Sequence, residues 1–296
     1  RVAEVGVPVE LADEHGPVLV HALPYLDPDS VRFALAVARG DDPVEPLARS
    51  HEAVVTAAME RVRADLAARS SAHGSRPRSV VMAHAFVLGG QGSESERDIR
   101  VGGVDSVPAG AFDGVDYVAL GHLHGAQRLA PGPRGDDAGP GPVLQYSGSP
   151  LAYSFSERDH RKGTVLLTLG PEGVLGSPEV VPAPVPRRLT QLEGTLEEVL
   201  ATAEHREDWV KVLVTDPARP SELVPRVRSV FPHALVVEHR PAQRDSVRLA
   251  AVTAARDPLD VAAEFVEHVT GAPPTEPELA VLRRAYEAVQ ADGRSA

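Results

Sequence analysis

Tyr117-Val118-Ala119-Leu120-Gly121-His122-Leu123-His124 is the stretch on which the reading of this chain turns. An apolar run of strand type ends in a glycine and two histidines spaced two apart. In extended backbone, residues i and i+2 point to the same side, so both imidazoles can face one cavity. Gly121 lets the backbone bend close to that cavity. Ligand sites collect at strand ends in α/β folds. A chance pair on a surface loop is the plainer alternative. A second run, Ser79-Val80-Val81-Met82-Ala83, ends in His84. Alone, His84 would read as a core or capping residue. Three histidines closing two strand-like runs read instead as metal ligands, because neutral imidazole is the commonest one.

The surrounding sequence alternates short apolar runs with helical stretches, which predicts an α/β fold. Pro17 to Leu23 reads as a strand, and Asp27-Pro28-Asp29-Ser30 as a turn or helix start. From about Glu45 to Ser70, Leu47, Val54, Val55, Ala58, Val62 and Leu66 recur near helical spacing. Val143 to Tyr146 and Thr164 to Leu169 read as strands, and Pro131 to Pro142 as a surface loop.

A proline-punctuated linker, Pro178 to Pro186, precedes a second region. There, strands at Arg188 to Leu192, Trp209 to Val214 and Ala234 to Glu238 alternate with two helices. Thr195 and Glu198 form a capping box for the first helix, and the second spans about Glu222 to Phe231. The unit reads βαβαβ. Two further helices follow. Asp257-Pro258 supplies an N-cap and first-turn proline, Gly271 a stop, and Thr275 with Glu278 another capping box. Leu279, Leu282, Tyr286 and Val289 mark an apolar stripe, which either packs on its own domain or docks a partner. The expected domains are residues 1–175, 186–245 and 256–293.

With 296 residues, 43% of them hydrophobic, the chain has material for one large domain and a smaller one, or for two to three modest ones. It has no cysteine, so disulfides and thiolate metal sites are excluded; any metal needs His, Asp, Glu or Asn. A cytoplasmic location fits this. No apolar run reaches membrane-span length, and Arg1-Val2-Ala3-Glu4 has no signal-peptide character. The missing initiator Met predicts a start inside a longer product. The net charge of −12 argues against a passive nucleic-acid binder. Bound cations would change that, because their charge is invisible in a residue count. No phosphate-binding Gly-x-x-x-x-Gly-Lys-Ser/Thr loop occurs, so the chain is not expected to hydrolyse ATP.

Three histidines and water suit a mononuclear zinc hydrolase. Joined by carboxylates, they suit a two-metal phosphoesterase, whose ions clamp the attacking and leaving oxygens of a phosphodiester. Ser147, Gly148 and Ser149 either line a phosphate groove or form a tight turn. Arg158, Arg161 and Lys162 are a basic cluster that contacts DNA or simply solvates a loop. His51, His73, His160, His205, His233, His239 and His268 have no partner spacing and read as structural or surface residues.

Several segments then carry a family likeness. They are His84-Ala85-Phe86-Val87, Gly89-Gly90, Ser93-Glu94-Ser95-Glu96-Arg97, Val101-Gly102-Gly103 and Tyr117 to His124. Gln145-Tyr146-Ser147-Gly148-Ser149-Pro150-Leu151, Tyr153 to Glu157 and Lys162-Gly163 join them. Together they closely resemble SbcD-type nuclease subunits of the calcineurin-like metallophosphoesterase superfamily. The resemblance implies a metallophosphoesterase β-sandwich flanked by helices, a small βαβαβ capping domain and a C-terminal helix pair. It implies His84 and His122 as ligands of one divalent ion and His124 of another, the pair being manganese. Ser147, Ser149, Arg158 and Lys162 are the DNA-contact candidates. The implied activity is ATP-dependent exonuclease action on double-stranded ends and endonuclease cleavage of hairpins, in recombination, replication and repair. The implied partners are an SbcC-like ATPase, docked by the C-terminal helices, and double-stranded or hairpin DNA. The implied assembly is a homodimer within a heterotetramer.

The pattern is incomplete here. The family's Asp-x-His, bridging Asp and Asn-His-Asp segments have no counterpart; Gly40-Asp41 and Gly135-Asp136 follow no strand in the required place. No catalytic residue is therefore assigned, and an N-terminal truncation is expected. Without a bridging carboxylate, nothing holds two cations roughly 3.5–4 Å apart against their repulsion. The chain alone is expected to be inactive, with exposed apolar sheet edges. A small-substrate phosphoesterase and a non-catalytic scaffold are the rival readings.

Overall fold

A computed structural model of the protein describes residues 2–36, 45–73, 75–96, 106–131, 141–202, 204–241 and 257–293. Arg97, Val101 to Gly103, Gly40-Asp41, Gly135-Asp136, most of the Pro131 to Pro142 loop, and the side chains of His73 and Val289 lie outside the described residues. The chain divides into two compact units, Arg1–Pro186 and Arg187–Ala296. Both are mixed α/β.

In the first unit, β1 (Val9–Asp13) and β2 (Gly16–Leu23) form a hairpin that leads into a short helix, α1 (Pro28–Val31). The Asp27 side chain caps α1 by accepting from the Asp29 N–H, with Pro28 in the first turn. The long helix α2 (His51–His73) crosses back to β3 (Arg78–His84). Then come β4 (Tyr117–Gly121), β5 (Gln127–Leu129) and β6 (Val143–Tyr146). The six strands make one sheet in the order β1-β2-β3-β4-β6-β5. The four central strands run parallel, and β1 and β5 are antiparallel edges. All four central strands therefore end on one side, at Leu23, His84, Gly121 and Tyr146.

α2 starts at His51, six residues after the predicted start at about Glu45. The Ser50 hydroxyl accepts from the Ala53 N–H and marks the true beginning. Leu47 keeps its place on the core without being helical. Val54, Ala58, Met59, Val62 and Leu66 bury one helix face against Leu19, Val81, Val118 and Phe112. The edge strand β1 is exposed along its length, including Val9 and Leu11.

β7 (Gly163–Gly170) and β8 (Gly173–Pro182) form a two-stranded antiparallel ribbon. The linker predicted from Pro178 is thus a strand as far as Pro182, with Val180 and Val181 opposite Val165 and Thr164. A two-stranded ribbon tolerates these prolines because each strand has a free edge, where no N–H donor is needed.

In the second unit, β9 (Leu189–Gly194), α3 (Leu196–Ala201), β10 (Trp209–Val214), α4 (Leu223–Val230) and β11 (Ala234–His239) alternate as expected. Their sheet is parallel, in the order β11-β10-β9. Its core gathers Leu196, Val199, Val210, Val212, Val227 and Phe231. The Thr195–Glu198 capping box forms in both directions. α5 (Pro258–Thr270) and α6 (Glu276–Gly293) pack on each other. Asp257 caps α5, and Gly271 ends it at φ 74°, where a side chain would be strained. α5 has no buried residue, and Phe265, Val269 and Val281 are exposed.

Candidate metal centre

The parallel register brings two of the three predicted histidines, His84 and His122, together. His84, the last residue of β3, lies opposite Gly121, the last residue of β4. One residue on, His122 takes φ 112°, a backbone conformation rare outside glycine and concentrated at functional sites. The His84 and His122 rings then meet edge to face, with centroids 5.3 Å apart. Phe86 lies edge-on to His122 at 6.4 Å, and Tyr25 edge-on to His84 at 5.8 Å. Burial holds the His84 pKa below its ordinary value, so the ring is neutral near pH 7 and has a lone pair to offer. His51, read from sequence as structural, is buried and reaches the same corner through Tyr25, at 5.5 Å between centroids.

His124 is held differently. Its Nδ1 lies 2.8 Å from Ser95 Oγ and 3.0 Å from Glu157 Oε1. Its backbone N–H donates to Glu96 Oε1 at 2.8 Å. The other oxygen of Glu96 accepts from Ser93 N at 2.5 Å and Ser93 Oγ at 2.6 Å. Burial would push the Glu96 carboxyl up, but these bonds outweigh it and hold it low. The His124 carbonyl accepts from Ser149 N at 3.2 Å and Lys162 Nζ at 2.9 Å. Gly148, at φ 76°, packs so closely that an added Cβ would stand 2.8 Å from this carbonyl oxygen. Only glycine fits there.

Glu157 is fully buried and Lys162 is 6% exposed. Oε1 of Glu157 accepts from Ser95 and faces His124, while Oε2 accepts from Lys162 at 2.5 Å. Burial alone would raise its pKa; the hydrogen bonds from Lys162, Ser95 and His124 overcome this and hold it at about 2. Tyr146, whose phenol burial pushes up to about 12, donates to the Ala85 carbonyl at 2.6 Å and accepts from Val87 N at 2.9 Å. It pins the chain just after His84.

Two of the four DNA-contact candidates are placed differently from expectation. The three Lys162 donors are committed to His124 O, Ser149 Oγ and Glu157 Oε2, which leaves none for a phosphate. Ser149 is buried, accepts from Lys162 and donates to the Leu151 carbonyl. Arg158 is exposed beside Asp159, and Ser147 is half-buried. A cavity of about 420 Å³ opens beside Gly125, lined by Gln91, Gln127, Asp159, His160 and Arg161.

Among the described residues, no three histidine or carboxylate side chains are arranged as a metal site. The donors nonetheless fit a cation in part. His84 and His122 pair at the end of the sheet, the first exposed and the second half-buried. His124 has one ring nitrogen tied to a carboxylate, the usual way a metal-binding imidazole is oriented. The sequence does not single out Glu157, Glu96, Tyr25 or His51 as site residues. The only trace of Glu157 and Glu96 is their position inside the segments that carry the family likeness.

A family model described as SbcD_C, "Type 5 capsule protein repressor C-terminal domain", matches residues 185–270. The match runs from just before β9 to the end of α5. It points to an SbcD-like protein and leaves His84, His122 and His124 outside its range.

Proposed function

We propose that this chain is part of an SbcD-like DNA nuclease subunit, built to act on phosphodiesters with divalent ions, manganese being the expected metal. The observation that carries this reading is the convergence on His124. Ser95 and Glu96, Gly148 and Ser149, Glu157 and Lys162 lie in separate segments, yet their side chains or backbone meet around that one histidine. The match of residues 185–270 to an SbcD C-terminal domain supports a role in DNA processing independently.

In this reading His84 and His122 hold one ion and His124 contributes to a second. A bound ion would supply Lewis acidity and local neutralisation of phosphate, which an anionic chain needs in order to approach DNA. Neutral His84 offers its lone pair; Phe86 and Tyr25 flank the imidazole pair. Arg158 and Ser147 remain the residues offered to DNA, and Arg161 at the cavity joins them. The exposed apolar residues of α5 and α6 suit docking to an SbcC-like ATPase, in a heterotetramer built on a homodimer.

One observation favours a second reading for the isolated chain. The described residues hold no complete ligand set, so by itself it would act as a scaffold for partner and DNA. Mn²⁺ titration by calorimetry, with parallel assays on linear and hairpin DNA, separates the readings. Uptake by the 296-residue chain that disappears in His84→Ala and His122→Ala, without DNA cleavage, is the expected result. Uptake indifferent to both substitutions removes the metal reading, and cleavage by the chain alone removes the claim that it is inactive.

A further inference from the structure

The Glu157–Lys162 pair is not used by the chemistry above, yet among the described residues it is the most deeply buried charge pair of the first unit. Lys162 has three N–H donors and all three are satisfied. Its strongest contact is Oε2 of Glu157, at 2.5 Å. The other carboxylate oxygen, Oε1, is therefore turned towards Ser95 and His124. Ser95 donates its only proton to Oε1. The hydroxyl has then nothing left to give to His124. Both groups within reach of His124 Nδ1, the Ser95 oxygen and the carboxylate, are acceptors at this point. Two acceptors on one ring nitrogen require that nitrogen to carry the proton.

We propose that Glu157 and Lys162 are a positioning pair that fixes the His124 imidazole with its proton on Nδ1, leaving the Nε2 lone pair for a ligand. That this ligand is a divalent ion rests on the reading above; the tautomer does not. Lys162 performs two tasks at once. Its charge keeps Glu157 an acceptor inside the protein, and its bond to the His124 carbonyl holds the same residue by its backbone. The histidine is gripped at ring, N–H and C=O, so its ring has little freedom to turn. Carboxylate-bound imidazoles of this kind gain basicity at the free nitrogen, and loss of the carboxylate typically lowers metal affinity by about 10–100-fold.

Long-range ¹H–¹⁵N spectra of the full chain carrying ¹⁵N-histidine read the tautomer directly, with His124 assigned by its absence in His124→Ala. The wild-type ring should show a protonated Nδ1 and an unprotonated Nε2. In Glu157→Gln the ring should become a mixture of tautomers. Because that change strands the Lys162 charge, Glu157→Gln with Lys162→Met is the companion variant that keeps the interior neutral. It should show the same loss of tautomer preference with a cooperative melt. An Nε2–H tautomer in wild type, or an unchanged His124 signal in the folded double variant, overturns the proposal. Mn²⁺ affinity is measured alongside. No uptake by a wild-type chain with the Nδ1–H tautomer would count against the metal reading alone.

Discussion

Nδ1 of His124 lies 3.0 Å from Oε1 of Glu157, a residue 33 positions further along the chain and fully buried. The contact ties the end of the β4 segment to the loop before β7, and Lys162 locks it from behind. An ionised carboxylate and an ammonium inside a protein are stable only while both are present.

That condition gives the first prediction. Glu157→Gln or Lys162→Met alone should cost about 3–5 kcal/mol of first-unit stability, since each leaves the other charge buried and unpaired. The double variant should recover a large part of the loss. Urea melts of the four chains form the cycle, and additive losses would refute the coupling.

Gly148 tests the backbone side of the same grip. At φ 76°, with an added Cβ only 2.8 Å from the His124 carbonyl oxygen, Gly148→Ala has neither the conformation nor the space it needs. The expected loss is about 1–3 kcal/mol. Gly176, also at positive φ but with open space around it, should tolerate alanine better. Equal losses at the two sites would show that strain, not contact, governs Gly148.

Acid sensitivity should follow His21, which is fully buried on β2. Its Nε2 lies 3.1 Å from Asp65, and its Nδ1 is buried without a hydrogen-bond partner. Burial lowers its pKa from 6.5, against the opposing pull of Asp65. The folded ring stays neutral while the unfolded ring takes up a proton below 6.5. The unfolded state then binds more protons, so stability should be full above that pH and fall as pH drops towards the folded value. His84 shifts in the same direction, and burial is the cause. Thermal melts from about pH 7 to about pH 5 should show a steeper decline for wild type than for His21→Gln. Parallel slopes would clear His21 of the effect.

Much of the element order is legible in the sequence. The runs ending at His84 and Gly121, the capping box at Thr195, the Asp257-Pro258 cap and the Gly271 stop are local signals, and local backbone preferences produce them. β1, β5 and the full length of β8 are not legible. β1 and β5 are short edges, and β8 carries prolines; such strands form because a neighbour offers its hydrogen bonds. The spacing places the start of α2 too early, because Leu47 keeps the helical period while its backbone lies outside the helix.

The stretch from Tyr117 to His124 determined by itself that two histidines would follow directly on a strand, and with His84 it announced where chemistry would gather. Extended-chain alternation would have aimed both rings at one cavity, but β4 ends at Gly121 and His122 turns at φ 112°, so the two rings take different partners. The tertiary structure alone decided that His84 and His122 would pair, because only parallel register sets the ends of β3 and β4 side by side. It alone decided that His124 would lean on Glu157, and that Lys162 would turn inward to hold that carboxylate. A lysine's charge is visible in the sequence, but whether it meets water or a buried carboxylate depends on residues far along the chain.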